Sequence, residues 1–167
     1  VNPDLDDIRR IVATCNLGAV QLHGNETPEW VARLRDALDL PVFKALFATR
    51  EPAMDRAPDF SVDAFLVEAG KGVLPGGNAE TWDWAGARDF AARHTTILAG
   101  GLQPANVHQA IADCLPAAVD ASSGLESAPG RKDLQKVKAF LDAVVGTAAL
   151  YQAVRKTIQP VFNLRPL

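Results

Sequence analysis

In the stretch Ala64-Phe65-Leu66-Val67-Glu68-Ala69, four apolar residues run without a break into a carboxylate. Short, near-continuous apolar runs of this kind are typical of parallel strands that are buried on both faces of a sheet. Four similar runs lie at residues 18–23, 41–47, 95–100 and 117–121. The sequence therefore predicts five parallel strands, and a polar or glycine-containing segment follows each of them.

Helical patterns lie between these strands. Apolar residues recur at helical spacing in three sets, which are Leu5, Ile8, Val12 and Cys15; Val107, Ile111 and Cys114; and Leu134, Val137, Leu141 and Val144. Thr27-Pro28-Glu29 predicts the start of another helix, because threonine caps a helix and proline suits its first position. Asp133 can cap the last helix in the same way.

Strands that alternate with helices indicate a parallel α/β sheet with right-handed crossovers. The pattern leaves two architectures open. One is an open five-stranded, flavodoxin-like sheet. The other is a TIM (β/α)₈ barrel, which needs eight strands and typically about 250 residues. The five predicted strands favour the open sheet unless the chain forms part of a barrel.

Composition excludes several classes of protein. Hydrophobic residues make up 48% of the 167 residues and charged residues 22%, as in a globular rather than a disordered chain. The net charge of −3 argues against binding to nucleic acid or to a membrane surface. No apolar run is long enough to span a bilayer, and Val1 to Asp7 carry no sign of a signal peptide.

Cysteine usage points to a cytoplasmic, reducing compartment, because Cys15 and Cys114 are the only two cysteines. Neither has a second ligand at metal-binding spacing, so no metal site is expected. Both are predicted to be small apolar core residues on helices.

We expect one domain over residues 1–146 and a tail over residues 147–167, which Pro160 and Pro166 make irregular at its end.

Two glycine-bearing segments follow the last two predicted strands. Gly100-Gly101 comes directly after one, and Ser122-Ser123-Gly124 comes shortly after the other. Glycine lets backbone N–H groups approach an anion closely, and serine hydroxyls add donors. The two segments are therefore candidates for a phosphate site, which barrels commonly form at this place. The alternative is two ordinary glycine-bearing connections.

Glu68 is the candidate acid–base group, since it ends a strand where a ligand cleft would lie. Its alternative is a solvated charge at the end of a strand. His23 also follows a predicted strand and can donate to a carboxylate or carbonyl, or be satisfied by the backbone. Trp82 and Trp84 are expected to pack at a helix start. The loop Gly76-Gly77-Asn78-Ala79 is expected to be a plain turn.

Several segments occur in an order that resembles the phosphoribosylanthranilate isomerase family of tryptophan biosynthesis. The resemblance is carried by Val20 to Glu26, Val42 to Ala45, Leu74 to Asn78, Trp82 to Trp84, Leu98 to Val107 and Val119 to Asp133. It runs from Val1 to about Leu141, and its last motif is highly specific. It implies a (β/α)₈ barrel that performs an Amadori rearrangement of a small phosphorylated sugar, with no cofactor.

The resemblance also implies roles for individual residues. Glu68 stands where the family has an acidic aspartate, one methylene shorter. Asp120 matches a residue near the sugar hydroxyls, and His23 lies on the anthranilate side. The family's phosphate loops match Gly100, Gly101, Ser122, Ser123 and Gly124. The family's Gly-Gly-Asn-Gly or Gly-Gly-Thr-Gly loop has Ala79 at its last position here.

The family's cysteine base stands in a Lys-x-Cys-Gly motif on its first strand, and this sequence has no such motif. Since Val1-Asn2-Pro3 resembles the end of a third strand, we expect the chain to hold about strands 4–8 of a barrel. Because a general acid without its partner base loses most of the reaction rate, we expect these residues alone to show little or no activity. The alternative function is a non-catalytic phosphate-binding module of the same family. A partial barrel would also expose two sheet edges, which favours self-association.

Overall fold

The computed structural model describes residues 3–70 and 81–152. Its strands are β1 (Val20–Leu22), β2 (Val42–Phe47), β3 (Ala64–Glu68), β4 (Thr96–Leu98) and β5 (Ala118–Val119), followed by a hairpin of β6 (Glu126–Ala128) and β7 (Arg131–Lys132). Its α-helices are α1 (Leu5–Cys15), α2 (Pro28–Ala37), α3 (Arg88–Arg93), α4 (Val107–Cys114) and α5 (Leu134–Gln152). Short 3-10 helices occupy Met54–Asp59, Trp84–Ala87 and Ser123–Leu125.

The first five strands form one sheet in the order β1-β2-β3-β4-β5, and every neighbouring pair is parallel. A flavodoxin-like sheet has the order 2-1-3-4-5, so this alternative from the sequence is wrong. Strands that follow one another around a sheet in chain order are instead the arrangement of a TIM barrel. Among the described residues the sheet is not closed, because β1 and β5 each have one neighbouring strand.

Apolar side chains lie on both faces of the sheet, as the near-continuous apolar runs predict. The larger cluster joins one face to the helices and includes Leu46, Val67 and Leu98. A smaller cluster on the other face consists of Ala45, Phe47, Leu66 and Ala99, with Ile97 packed against it. Alternation along β2 therefore places Leu46 under the helices and Phe47 on the opposite face.

Local signals set the helix starts. The Thr27 side chain accepts a hydrogen bond from the Trp30 N–H ahead of α2, with Pro28 in the first turn. The Asp133 side chain accepts bonds from the N–H groups of Gln135 and Lys136 at the start of α5. Both predicted starts are confirmed.

Two expectations about burial need correction. Leu134 and Leu141 were expected on the apolar face of α5, but both are exposed, whereas Phe140 is buried. Cys114 is buried as predicted, but Cys15 is exposed at the end of α1, where the helix turns into a left-handed cap at Asn16.

Helix α5 continues past residue 146, the last residue of the predicted domain, to Gln152. The predicted Gly76-Gly77-Asn78-Ala79 turn and the rest of the tail lie outside the described residues. None of the described helices is long and apolar enough to cross a membrane.

Candidate active site

Glu68 and His23 meet at the carboxyl edge of the sheet. Glu68 is the last residue of β3, and His23 directly follows β1. The His23 Nε2 atom lies 3.2 Å from the Glu68 Oε1 atom. The imidazole reaches across the intervening β2, whose last residue, Phe47, pairs in register with Glu68 and lies 5.7 Å from the His23 ring centroid.

The contact shields the carboxyl group and gives it a proton partner. Glu68 is only 7% exposed, so it is not the solvated strand-end charge of the alternative interpretation. Either the His23 Nε2–H donates to a carboxylate oxygen, or a protonated Glu68 donates to Nε2. The Nδ1 atom of His23 lies 3.5 Å from the Gln21 Nε2 atom. The ring nitrogens thus face side chains rather than the backbone.

A buried ion pair holds the loop that carries His23. The Lys44 Nζ atom lies 3.2 Å from Glu26 Oε2, and both residues are buried. The ammonium also donates to the carbonyl oxygen of Gly24 at 2.8 Å, while both Glu26 oxygens accept from the Gly24 N–H at 3.1 Å. Burial lowers the pKa of Lys44, against the opposing effect of Glu26. Both polar groups of the residue after His23 are therefore fixed.

Asp120 follows β5 at the same edge, and its side chain is exposed. The protein atoms around it raise its pKa by partial desolvation, and the charge of Glu68 raises it further. The charges of His23 and Lys132 act in the opposite direction. Asp120 thus shares the electrostatic environment of the Glu68–His23 pair.

Side chains hold three consecutive carbonyl groups of the loop after β4. Trp82 Nε1 donates to the Ala99 oxygen at 3.0 Å, and Trp84 Nε1 donates to the Gly100 oxygen at 3.4 Å. Asn106 Nδ2 donates to the Gly101 oxygen at 2.9 Å. Both glycines have positive φ, +88° for Gly100 and +68° for Gly101, which is a conformation that favours glycine.

The loop after β5 packs directly on this first loop. A Cβ atom added to Gly124 would overlap the carbonyl oxygen of Leu102, so only glycine fits at this close approach. Lys132, on β7, donates to the Ser122 carbonyl oxygen at 2.9 Å and lies 3.3 Å from the Ser122 hydroxyl. The two glycine-bearing segments therefore form one unit with a cation beside it.

The structure brings all the sequence-predicted site residues to one edge of the sheet, in the order His23, Glu68, Gly100-Gly101, and then Asp120 with Ser122-Ser123-Gly124. Sequence reasoning missed Lys132, although it stands in the motif that follows Ser122. It also missed the Lys44–Glu26 pair, whose only signal was a lysine inside an apolar run. Within the described parts of the chain, no cluster of three potential metal ligands occurs.

Comparison with known proteins points to one family. A family model described as N-(5'-phosphoribosyl)anthranilate (PRA) isomerase matches residues 1–143. The N-(5'-phosphoribosyl)anthranilate isomerase of Desulfatibacillum aliphaticivorans is 43% identical over 152 residues, which are 91% of this chain and 69% of that protein. The chain spans about two thirds of the length of the curated relatives it matches.

Solved structures agree with the sequence match. The phosphoribosyl anthranilate isomerase of Thermotoga maritima superposes with a TM-score of 0.75 at 33% identity, covering 87% of this chain and 70% of that one. A phosphoribosyl anthranilate isomerase in complex with reduced 1-(o-carboxyphenylamino)-1-deoxyribulose 5-phosphate superposes with a TM-score of 0.71 at 32% identity, covering 87% and 68% of the two chains.

Proposed function

The chain belongs to the N-(5'-phosphoribosyl)anthranilate isomerase family, and from this premise we propose that it converts N-(5-phosphoribosyl)anthranilate to 1-(2-carboxyphenylamino)-1-deoxyribulose 5-phosphate in tryptophan biosynthesis. The observation that carries the proposal is the 3.2 Å contact between Glu68 and His23 at the sheet edge that also bears the glycine loops. A phosphorylated sugar suits this arrangement, because the carboxyl group can reach the sugar ring while the glycine loops bind the phosphate.

In this proposal Glu68 is the general acid. It gives its proton to the ring oxygen of the ribose, the bond between that oxygen and C1 breaks, and C1 and nitrogen form an iminium. A base then removes the proton from C2, and the resulting enol takes a proton at C1 while its hydroxyl becomes the C2 ketone. The substrate and product are isomers, so the reaction needs no oxidant, reductant or cofactor.

The remaining residues bind and orient the substrate. The Gly100 and Gly101 amides, with Ser122, Ser123 and Gly124, hold the phosphate. Asp120 accepts a hydrogen bond from a sugar hydroxyl. His23 keeps the Glu68 carboxyl group in place and lines the side on which the anthranilate ring lies.

In the proposed mechanism, neither cysteine of this sequence is the base that removes the C2 proton. Cys15 and Cys114 both lie at the C-terminal ends of helices, which face the amino ends of the strands and not Glu68. We therefore propose that the chain covers about strands 4–8 of a barrel. The expectation that these residues alone turn over little substrate stays a prediction.

The proposal is tested by assaying N-(5-phosphoribosyl)anthranilate turnover with the chain alone and with the part of the Desulfatibacillum relative that the match leaves uncovered. In the active preparation, Glu68→Gln is expected to lower turnover about 10²- to 10⁴-fold while the reduced product analogue binds normally. Glu29→Gln, at an exposed position on α2, is the control. Turnover that survives Glu68→Gln would exclude Glu68 as the acid.

A second candidate is a binding module without catalysis, which Glu68 and Ala79 favour, because the family pattern has aspartate and glycine at these two positions. Analogue binding with no turnover in any preparation would support this alternative.

We further propose that the chain self-associates through its sheet edges. We also propose a cytoplasmic location, since both cysteines are free thiols.

A further inference from the structure

Trp82 and Trp84 do more than pack at a helix start. Trp84 begins a 3-10 helix whose first turn is capped by the intervening Asp83, which accepts from the Ala85 N–H at 3.2 Å. This cap sets the backbone at the start of the short helix that carries Trp84. Each ring then donates its N–H to a carbonyl group of the glycine loop after β4.

Those two hydrogen bonds control where the glycine amides point. In a trans peptide the C=O and the following N–H lie in one plane and point in opposite directions. When Trp82 holds the Ala99 oxygen, the Gly100 N–H is turned away from Trp82. When Trp84 holds the Gly100 oxygen, the Gly101 N–H is turned away from Trp84.

Neither of the two amides has an acceptor among the described residues. Within residues 3–70 and 81–152, neither the Gly100 N–H nor the Gly101 N–H donates a hydrogen bond. Both glycines are half-buried, so a ligand can reach them. A Cβ atom added to Gly100 would lie 3.1 Å from Trp82 Nε1, so the indole ring lies close against the loop at this residue.

We propose that Trp82 and Trp84 are positioning residues of the phosphate site: their indole N–H groups fix two successive peptide planes so that the Gly100 and Gly101 amides both face a phosphate group. The inference rests on the proposed function and assigns to the two tryptophans the geometry of its anion site. It does not depend on the chain's ability to turn over substrate.

The test is the affinity of Trp82→Phe for the reduced product analogue and for the same analogue without its phosphate, measured by calorimetry. Phenylalanine keeps an aromatic ring and removes the N–H donor. We expect a loss of about tenfold for the phosphorylated ligand, the size of one charge-assisted hydrogen bond, and no loss for the other. The third tryptophan of the chain, Trp30 on α2, provides the matched control Trp30→Phe, for which neither affinity should change.

A spectroscopic readout separates positioning from general support of the fold. Titration of the wild type with inorganic phosphate should shift the amide NMR signals of Gly100 and Gly101 and the indole signal of Trp82. In Trp82→Phe the two glycine shifts should shrink. If the variant does not fold, β-(3-benzothienyl)alanine at position 82 keeps the size of the indole and removes its N–H.

Equal weakening of both ligands, or of neither, in the altered protein would overturn the inference. A wild-type protein that binds the phosphorylated and unphosphorylated analogues equally would show instead that the proposed phosphate site is wrong, and the inference would fail with it. The first result leaves the proposed function standing, and the second does not.

Discussion

At the scale of single residues, the site combines carboxyl groups whose surroundings differ. Glu68 is almost enclosed and contacts His23, whereas Asp120 is exposed but close enough to sense the charges of both. Two carboxyl groups near one histidine can divide the proposed work of proton transfer and hydroxyl binding, because one group is enclosed and the other is open to solvent. These different surroundings suit the different roles that we propose for Glu68 and Asp120.

The raised pKa of Asp120 predicts a cost to stability that depends on pH. The folded state favours the neutral form of the Asp120 carboxyl group over the charged form. The stability that this preference contributes is fully present below the ordinary pKa of 3.8 and is lost as the pH rises through the raised pKa. Asp120→Asn should therefore be more stable than the wild type at pH 7, by less than about 1 kcal/mol because solvent screens the exposed group.

The measurement is the free energy of unfolding in urea at several pH values between 3 and 8. The gain from Asp120→Asn should disappear towards the acid end of the range. Asp36→Asn, on the exposed side of α2, is the matched control for the removal of a surface carboxylate. A gain that does not change with pH would mean that titration of Asp120 is not its source.

The Lys44–Glu26 pair predicts a strongly nonadditive pair of substitutions. Lys44→Met leaves the buried Glu26 carboxylate without its counter-charge and should cost about 3–5 kcal/mol of unfolding free energy. The double variant Glu26→Gln/Lys44→Met removes both charges, and the glutamine oxygen can still accept from the Gly24 N–H. It should recover most of the loss.

Thermal and urea unfolding of both variants would check this. If the double variant is as unstable as Lys44→Met, the packing of the lysine stem, rather than an unpaired charge, is what the fold requires.

At the scale of elements, the loops after β4 and β5 act as one unit, because Gly124 lies against the backbone of Leu102. Lys132 then attaches the β6–β7 hairpin to Ser122. Contacts between separate segments therefore hold together the two loops of the proposed anion site.

This contact predicts the effect of a single methyl group. Gly124→Ala would force the two loops apart and should weaken binding of the phosphorylated analogue by more than about tenfold, since the donors of the two loops would no longer converge. Gly146→Ala is the matched control, because a Cβ atom at Gly146 would meet no neighbour within 4 Å. Calorimetry on both variants decides the matter, and an unchanged affinity in Gly124→Ala would show that the loops bind independently.

The elements could be predicted from the sequence where the signal is local. Apolar runs located all five parallel strands, and capping residues such as Thr27 and Asp133 located helix starts. The strand order could not be read from the pattern, because an open sheet and a barrel share the same alternation of strands and helices. It depends on how each crossover packs, which the residues of one element do not encode.

Contacts between residues far apart in the chain could not be predicted from the sequence either. The indole N–H groups of Trp82 and Trp84 find carbonyl oxygens about 16 residues further along the chain. Lys44 looks anomalous in an apolar strand until Glu26 is placed beside it. The exposure of Leu134 and Leu141 is another such case, because helical spacing gives an apolar face but not what covers it.

At the scale of the whole molecule, the parallel strands bring the candidate site residues to one edge, and in the part of the chain that the structure describes β1 and β5 each have a single neighbouring strand. Beside β1, an apolar groove between α1 and the strand is lined by residues that include Ile8, Ile11, Val12 and Leu17. An edge strand beside apolar surface is a template for pairing with another chain. The proposed self-association therefore belongs most naturally to β1.

The edge of β1 can be blocked without disturbing its pairing with β2. Val20 donates towards β2, and because donors alternate along a strand, the N–H of Gln21 points away from the sheet. Gln21→Pro removes that outward donor, and an edge strand accepts proline at a position whose N–H points away from the sheet.

Sedimentation of the wild type should show an apparent mass that rises with protein concentration. Gln21→Pro should lower this apparent mass while the circular dichroism spectrum stays the same. Association that is unaffected by the proline would place the contact elsewhere, with β5 and the exposed Leu141 and Val145 of α5 as the surface to alter next.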